Sequence, residues 1–563
     1  IDRTTDNIME LLEDPNRDGS WDVRGLVVGG VQAGKTSNFI GLINKAYDAG
    51  YKCVIVLSGL HNNLRKQTQE RIDQGCLGYD SRSFDLRSKT LLPFYEIERE
   101  KGITLEDIDT FTTADPKGDY NASKAKSRNI IPENKIIFVV KKHRKVLQDV
   151  IKLFLSSKKS FTQGCKYITE GSDKFKIISD MASSFPFIRD YPVLIIDDEV
   201  DNGSVDTGEQ TYDDEDDPNQ NYNPKTINDR IRKLLNIFEK KSYVGYTATP
   251  FANIFIHEKG STQQCGKDLF PKDFIIDLPI PDNHTGLERI FPEDAVESGE
   301  IDDEELTSSG FCELINDSSD DPNSMECNSG WLPPRHDKHH LPKMQDENLR
   351  IPPSLRKALL SFIITCVVRN IRQENLEHKT MLIHVTRFKN VQEEIKKLIQ
   401  LEMEEIRRTL KEDKSKSFDL LKEMKKIYLE EFDINKLKND EVYYPDWEDI
   451  ENPENLFPVL TDIFFNIKCL NGETKEENDL NYDDYKRKEK KGICAIAIGG
   501  DKLSRGLTLK GLTISYFLRS ARIPMYDTLM QMGRWFGYRR EYEDLCRIYT
   551  TSNTIKNFFH ISK

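Results

Sequence analysis

The chain has 563 residues, too many for one hydrophobic core, and its length suggests about three to four units or two large domains with insertions. Its longest apolar run, residues 358–368, falls far short of the roughly 20 residues a membrane span needs. Its ten cysteines form no CxxC pair and no signal-peptide pattern opens the chain, so no membrane, zinc ribbon or disulfide framework is indicated and a cytoplasmic location is expected. It opens on Ile1 rather than Met, and the expectation is a trimmed piece of a longer protein.

The formal charge is −14, but it is unevenly placed. Residues 201–220 hold eight acids and no Lys or Arg, residues 281–330 hold fifteen acids and one Arg, and the remainder carries +8. Both acidic stretches are rich in Asp, Ser, Asn and Gly and lack apolar periodicity, so they read as solvated insertions. Net charge therefore neither supports nor excludes a nucleic-acid partner.

After an N-terminal segment, residues 1–20, Arg24 to Val28 reads as a short buried strand. Gly29-Gly30-Val31-Gln32-Ala33-Gly34-Lys35-Thr36 follows and fits the phosphate-loop pattern GxxxxGK[ST]. Ser37 to Ala49 then carries Phe39, Ile40, Leu42, Ile43 and Ala46 at helical spacing. A strand, a glycine loop and a helix N-terminus bring backbone N–H groups to one point and make an anion site. Lys35 is expected to reach the β/γ-phosphates of ATP, and the Thr36 hydroxyl to ligate Mg²⁺.

Further along, Cys53 to Ser58 reads as a strand and Asn62 to Ile72 as a polar helix. Ile136 to Val140 is a strand, followed by a helix whose apolar face uses Val146, Leu147, Val150, Ile151 and Phe154. Val193 to Ile196 is another strand, and it runs into Asp197, Asp198, Glu199, Val200 and Asp201. A triphosphatase needs such a carboxylate cluster at a strand end, one group for Mg²⁺ and one to orient the attacking water. Asp198 is assigned to the metal and Glu199 to the water, with Asp197 leaving the register open by one residue. Tyr243 to Tyr246 forms the next strand and ends in Thr247-Ala248-Thr249-Pro250, which is expected to couple the metal site to the domain cleft.

Residues 282–353 lose periodicity and read as an acidic, Pro-rich linker or insertion. A second α/β pattern follows: a helix at Leu355 to Arg372 and strands at Met381 to Val385, Ile493 to Ile498, Gly511 to Phe517 and Leu545 to Tyr549. Residues 387–440 read as a charged helical hairpin on the surface. Strands alternating with helices predict α/β domains with mostly parallel sheets covered on both faces. Three weaker signals are Glu133-Asn134-Lys135 as a nuclease-type ExK, His336, His339, His340 and Cys327 as a metal set, and Lys141 to Arg144 as phosphate contacts. Solvated or structural roles are favoured for the first two, and the third is even.

In order along the chain, these segments resemble the motifs of superfamily-two helicases and translocases. Gly29 to Thr36 resembles motif I, Val54 to Gln69 motif Ia, Asp198-Glu199-Val200-Asp201 motif II and Thr247-Ala248-Thr249 motif III. His384-Val385-Thr386 is similar to motif IV, Ala497 to Leu509, which contains Asp501 to Thr508, to motif V, and Gln531-Met532-Gly533-Arg534-Trp535-Phe536-Gly537-Tyr538-Arg539 to motif VI. The resemblance implies two RecA-like domains, residues 21–281 and 354–563, with nucleotide held by Gly29, Gln32, Gly34, Lys35, Thr36, Thr247, Thr249, Ser504, Arg505, Gly506 and Gln531. It implies an arginine finger on the γ-phosphate, with Arg534 the first choice and Arg539 the second; the spacing departs from the usual QxxGRxxR. A narrower likeness is to the Z-one-domain proteins of bacteria, through phrases such as RGLVVGGVQAGKTSN, LIIDDEVDNGSV and YDTLMQMGRWFGYRR. That likeness implies an ATPase acting on DNA in restriction-type or anti-phage defence, beside MutL/MORC-type ATPases and restriction-type nucleases. A nucleotide-gated scaffold and a metal-dependent endonuclease stay open as other functions.

Overall fold

A computed structural model gives the fold, and it describes residues 1–82, 108–121, 130–156, 188–206, 212–214, 217–218, 225–256, 261–262, 266–291, 306–318, 325, 331–432, 442–470, 480, 482–500, 509–518, 526–539 and 541–562. The chain forms two compact units, Ile1–Ile280 and Pro281–Lys563.

Unit 1 is built on a seven-stranded sheet: β1 (Trp21–Val28), β2 (Cys53–Ser58), β3 (Ile108–Thr110), β4 (Lys135–Lys141), β5 (Val193–Asp198), β6 (Lys240–Thr247) and β7 (Phe274–Asp277). Their spatial order is β7-β1-β6-β5-β2-β4-β3, and every pairing is parallel. A parallel sheet hides both faces, which is why these strands read as unbroken apolar runs rather than alternating ones. The alternation reappears in which core each residue joins. Ile55, Leu57, Phe138 and Ile195 lie on one side with α4 (Arg144–Ser156) and α5 (Thr226–Asn236). Val54, Val56, Val139 and Ile196 lie on the other with α1 (Asp2–Leu11) and α2 (Lys35–Ala49). The polar α3 (Asn62–Ile72) follows β2.

Unit 2 carries a six-stranded, wholly parallel sheet: β8 (Cys312–Leu314), β9 (Lys379–His384), β10 (Ile467–Leu470), β11 (Cys494–Gly499), β12 (Leu512–Phe517) and β13 (Arg547–Thr550), in the order β8-β13-β12-β9-β11-β10. The two α/β sheets agree with the fold class expected from the alternation of strands and helices. One face of this sheet meets α6 (Pro353–Ile371), α7 (Lys389–Glu412), α8 (Lys414–Glu431) and α9 (Pro453–Phe465) in a single large core. On the other face, Leu382, Ala495, Ala497 and Leu512 pack with Tyr482 and Tyr485.

Two sequence expectations change here. The helical hairpin is not a surface appendage: Ile395, Ile399, Met403 and Ile406 of α7 and Met424 of α8 are buried in the main core of the unit. The charged residues that dominate its composition occupy the outer faces, and an amphipathic helix needs only its apolar stripe to dock. The stretch read as a linker also contributes structure. It supplies edge strand β8 and the buried Trp331, Leu332 and Met344, which belong to the same core. Among the described residues, no helix is long and apolar enough to cross a membrane.

Candidate nucleotide site

The site in unit 1 begins where β1 stops. Gly29 N–H donates to the Thr247 carbonyl at 3.0 Å, which moors the loop to β6, and the chain then turns into α2. Gly34, the residue capping α2, has φ +88°, a conformation that glycine alone adopts without steric cost. Gln32 takes φ +57°, where a side chain costs about 1–3 kcal/mol, the kind of strain that collects at ligand clamps. The first turn of α2 contains no acid, so its positive end is left for an anion. Lys35 curls back over the loop, its ammonium donating to the carbonyls of Gly29 (3.1 Å) and Gly30 (2.9 Å). Burial pulls the Lys35 pKa down, and Asp198, Glu199 and Asp201 work against that.

The carboxylates come from the end of β5. Asp197 is fully buried, ion-paired to Lys142 (Nζ to Oδ1, 2.7 Å) and accepting from the Tyr243 hydroxyl at 2.6 Å. Asp198, next along the strand, points the other way, within electrostatic reach of Lys35. Burial first and the neighbouring Glu199 second push its carboxyl up to about 6, while Lys142, Lys35 and Arg71 pull it back. Glu199 has φ +52°, and its Oε2 is buried with no hydrogen-bond partner. Lys142 also donates to the carbonyls of Glu199 (2.6 Å) and Asn202 (3.1 Å), so one ammonium fixes the strand end and the strained turn after it. Gly245 gives that turn room: a Cβ there would stand 3.0 Å from Val200 Cγ1.

The threonines after β6 close the arrangement. The Thr247 hydroxyl donates to Asp201 Oδ1 at 2.7 Å, and Thr249 N–H donates to Thr247 Oγ1 at 2.9 Å. From the last turn of α3, Arg71 Nη1 donates to the Thr36 hydroxyl at 3.0 Å. The hydroxyl, the Asp198 carboxyl and the orphaned Glu199 oxygen are hard oxygen donors suited to Mg²⁺, and the loop amides with Lys35 suit phosphate.

In unit 2, Gln531 and Arg534 are half-buried, at the end of and just beyond the helix Tyr526–Met532. Arg539 is buried. Its guanidinium donates to the carbonyls of Arg534 (3.1 Å), Trp535 and Phe536 (both 3.4 Å) and to the Tyr542 hydroxyl (2.7 Å). It ties together its own loop. Ser504, Arg505 and Gly506 lie outside the described residues. His384 is buried against Phe517, and Thr386 meets His336 Nε2 at 2.7 Å.

The weaker signals disperse. His336 and His340 bind the carbonyls of Pro333 and Trp331, Cys327 lies outside the described residues, and no group of three His, Cys, Asp or Glu converges among the described residues. Of the ExK segment, Asn134 binds Asp109 at 3.0 Å and Lys135 lies over the Tyr47 ring. Sequence reasoning took Lys142 for a phosphate contact, where it anchors Asp197 and the Glu199 turn, and it missed Arg71. Neither stands in a phosphate-loop or carboxylate motif, and only the pairing of β4 with β2 and the packing of α3 bring them in.

The Z1 domain family matches residues 354–563. No curated protein matches the chain. Among solved structures, S. cerevisiae Dbp5 bound to RNA and ADP BeF3 superimposes with a TM-score of 0.39 at 11% identity, over 99% of this chain and 86% of that one. The Pyrococcus furiosus Hef helicase domain gives 0.31 at 11%, over 96% and 95%. The DUF1998 helicase MrfA bound to DNA gives 0.36 at 8%, over 96% and 46%.

Proposed function

With residues 354–563 a Z1 domain, we propose that the chain is a helicase-like nucleoside-triphosphate hydrolase that uses ATP and Mg²⁺ and works on DNA. The observation that carries this reading is the convergence in unit 1 of a strained glycine loop, a lysine lying over it, and a half-buried Asp198 beside a Glu199 oxygen with no partner. In this reading Lys35 leaves the loop carbonyls for the β/γ-phosphates, and the amides of Gly29 to Thr36 hold the rest of the chain of phosphates. Thr36 and Asp198 hold Mg²⁺, which when bound neutralises charge developing on the phosphates. Glu199 orients the attacking water through the oxygen left unpaired, and Thr247 and Thr249 transmit the state of the carboxylates through Asp201. Arg534 supplies the cation from the second unit. The resemblance to Z-one-domain proteins supports a task in restriction-type or anti-phage defence beside MutL/MORC-type ATPases and restriction-type nucleases.

The test is direct. Glu199→Gln is expected to slow hydrolysis by about 10²–10⁴-fold while a fluorescent ATP analogue still binds, and Lys35→Ala to lose both. Steady-state ATPase assays with and without DNA read the outcome. Undiminished hydrolysis in Lys35→Ala rejects the site. Hydrolysis indifferent to DNA favours a nucleotide-gated scaffold.

A further inference from the structure

Arg71 stands where the proposed metal site needs an open oxygen. Its guanidinium donates to the Thr36 hydroxyl at 3.0 Å, so a lone pair of that oxygen faces a cation belonging to the chain itself. Arg71 is exposed at the C-terminal end of α3. Its charge also reaches Asp198, the carboxylate assigned to the metal. Arg71 thus bonds one proposed ligand, Thr36 of α2, and adds its charge, after those of Lys142 and Lys35, to the field at the other, Asp198 of β5.

A hydroxyl oxygen that accepts an N–H from a guanidinium cannot also ligate a divalent cation without setting two positive charges about 4 Å apart, a separation at which like charges repel strongly unless water screens them. We propose that Arg71 is the resident counter-ion of the metal site: it holds Thr36 and offsets Asp198 in the absence of metal, and it must leave when a divalent cation arrives. The inference rests on the nucleotide-site reading above and deepens it. Arg71 becomes a positioning residue that sets how much divalent metal the site requires. It also ties the end of α3, which opens beside the strand end of β2, to metal occupancy. Lys35 is likewise held by the chain itself, its ammonium donating to the Gly29 and Gly30 carbonyls.

The experiment titrates Mn²⁺ alone into the full chain without nucleotide, following the electron paramagnetic resonance of the free ion. Arg71→Ala is expected to bind Mn²⁺ about fivefold more tightly than the unsubstituted chain, equivalent to about 1 kcal/mol. Arg71→Lys should fall between them, because an ammonium keeps the charge but not the planar fork. Asp198→Asn should lose the site. Equal or weaker Mn²⁺ binding by Arg71→Ala, or no saturable binding by any form, overturns the proposal. A parallel titration of a fluorescent ADP analogue in EDTA separates the two readings. Failure of the unsubstituted chain to bind it rejects the nucleotide site itself, whereas binding with a flat Mn²⁺ series rejects Arg71 alone.

Discussion

Lys142 carries three contacts with no exposure to solvent: the Asp197 carboxylate and the carbonyls of Glu199 and Asn202. A buried ion pair adds little net stability over a well-packed apolar pair, yet removing one member leaves the other charged and unpaired. Lys142→Met is therefore expected to destabilise unit 1 by about 3–5 kcal/mol in urea unfolding. Hydrolysis should fall further than the lost folded fraction explains, because the Glu199 turn has lost its anchor. A stability within experimental error of the unsubstituted chain would show that Asp197 finds another partner. Asp198 presents the opposite case. Its folded pKa of about 6 stands above the ordinary 3.8, so the folded chain holds that proton more tightly than the unfolded chain does. The group thus costs stability above about pH 6, and the cost fades as pH falls through 6 towards 3.8. In EDTA, Asp198→Asn should be more stable than the unsubstituted chain by up to about 3 kcal/mol near pH 8, shrinking to little near pH 4. Urea midpoints across that range check the sign, and an advantage that grows on acidification would contradict it.

The elements differ in how openly the sequence displayed them. β2, β4 and β5 of unit 1 were legible because strands covered on both faces leave continuous apolar runs, and α4 because its apolar face repeats at helical spacing. The strand, glycine loop and helix at Gly29 to Thr36 were legible because the glycines and lysine stand at a fixed spacing between two periodic segments. The hairpin α7–α8 was legible as helix but not as core, since Glu and Lys outnumber the few apolar residues that decide its docking. That difference is measurable within α8. Met424 is fully buried, and Met424→Ala is expected to cost about 2–5 kcal/mol in unit 2. Leu429, five residues on, is 61% exposed, and Leu429→Ala should stay within about 0.5 kcal/mol. Similar small effects at both positions would restore the surface appendage. Long-range pairings were not legible at all. Nothing local announces that β8, at the end of an acidic stretch, pairs with β13 more than 200 residues later, because that contact is set by a sheet edge needing cover rather than by periodicity.

At the scale of the whole chain, the groups proposed to bind and activate the triphosphate all belong to unit 1, and the cation proposed for the transition state belongs to unit 2. Such a division predicts separable defects. Binding energy delivered by the loop, Lys35 and the metal ligands acts on ground state and transition state alike, whereas a cation from the other unit matters chiefly as charge moves onto the transferred group. Arg534→Ala should therefore leave the affinity for a fluorescent ATP analogue within about threefold while lowering the hydrolysis rate by about 10³–10⁵-fold. Arg534→Lys should recover little of it, since an ammonium lacks the planar pair of donors that a phosphoryl group accepts. Arg539→Ala should behave otherwise. Its guanidinium holds the carbonyls of residues 534–536, so its loss is a folding defect of the loop, visible as lower stability of unit 2 together with reduced hydrolysis. Single-turnover hydrolysis measured beside thermal unfolding distinguishes the two arginines. If Arg534→Ala weakened nucleotide affinity as much as rate, the cation would be a ground-state ligand and the division of labour between the units would fail. If Arg534→Ala hydrolysed at the full rate, the triphosphate would be cleaved by unit 1 unaided, and the second unit would have to act through nucleic acid or a partner instead.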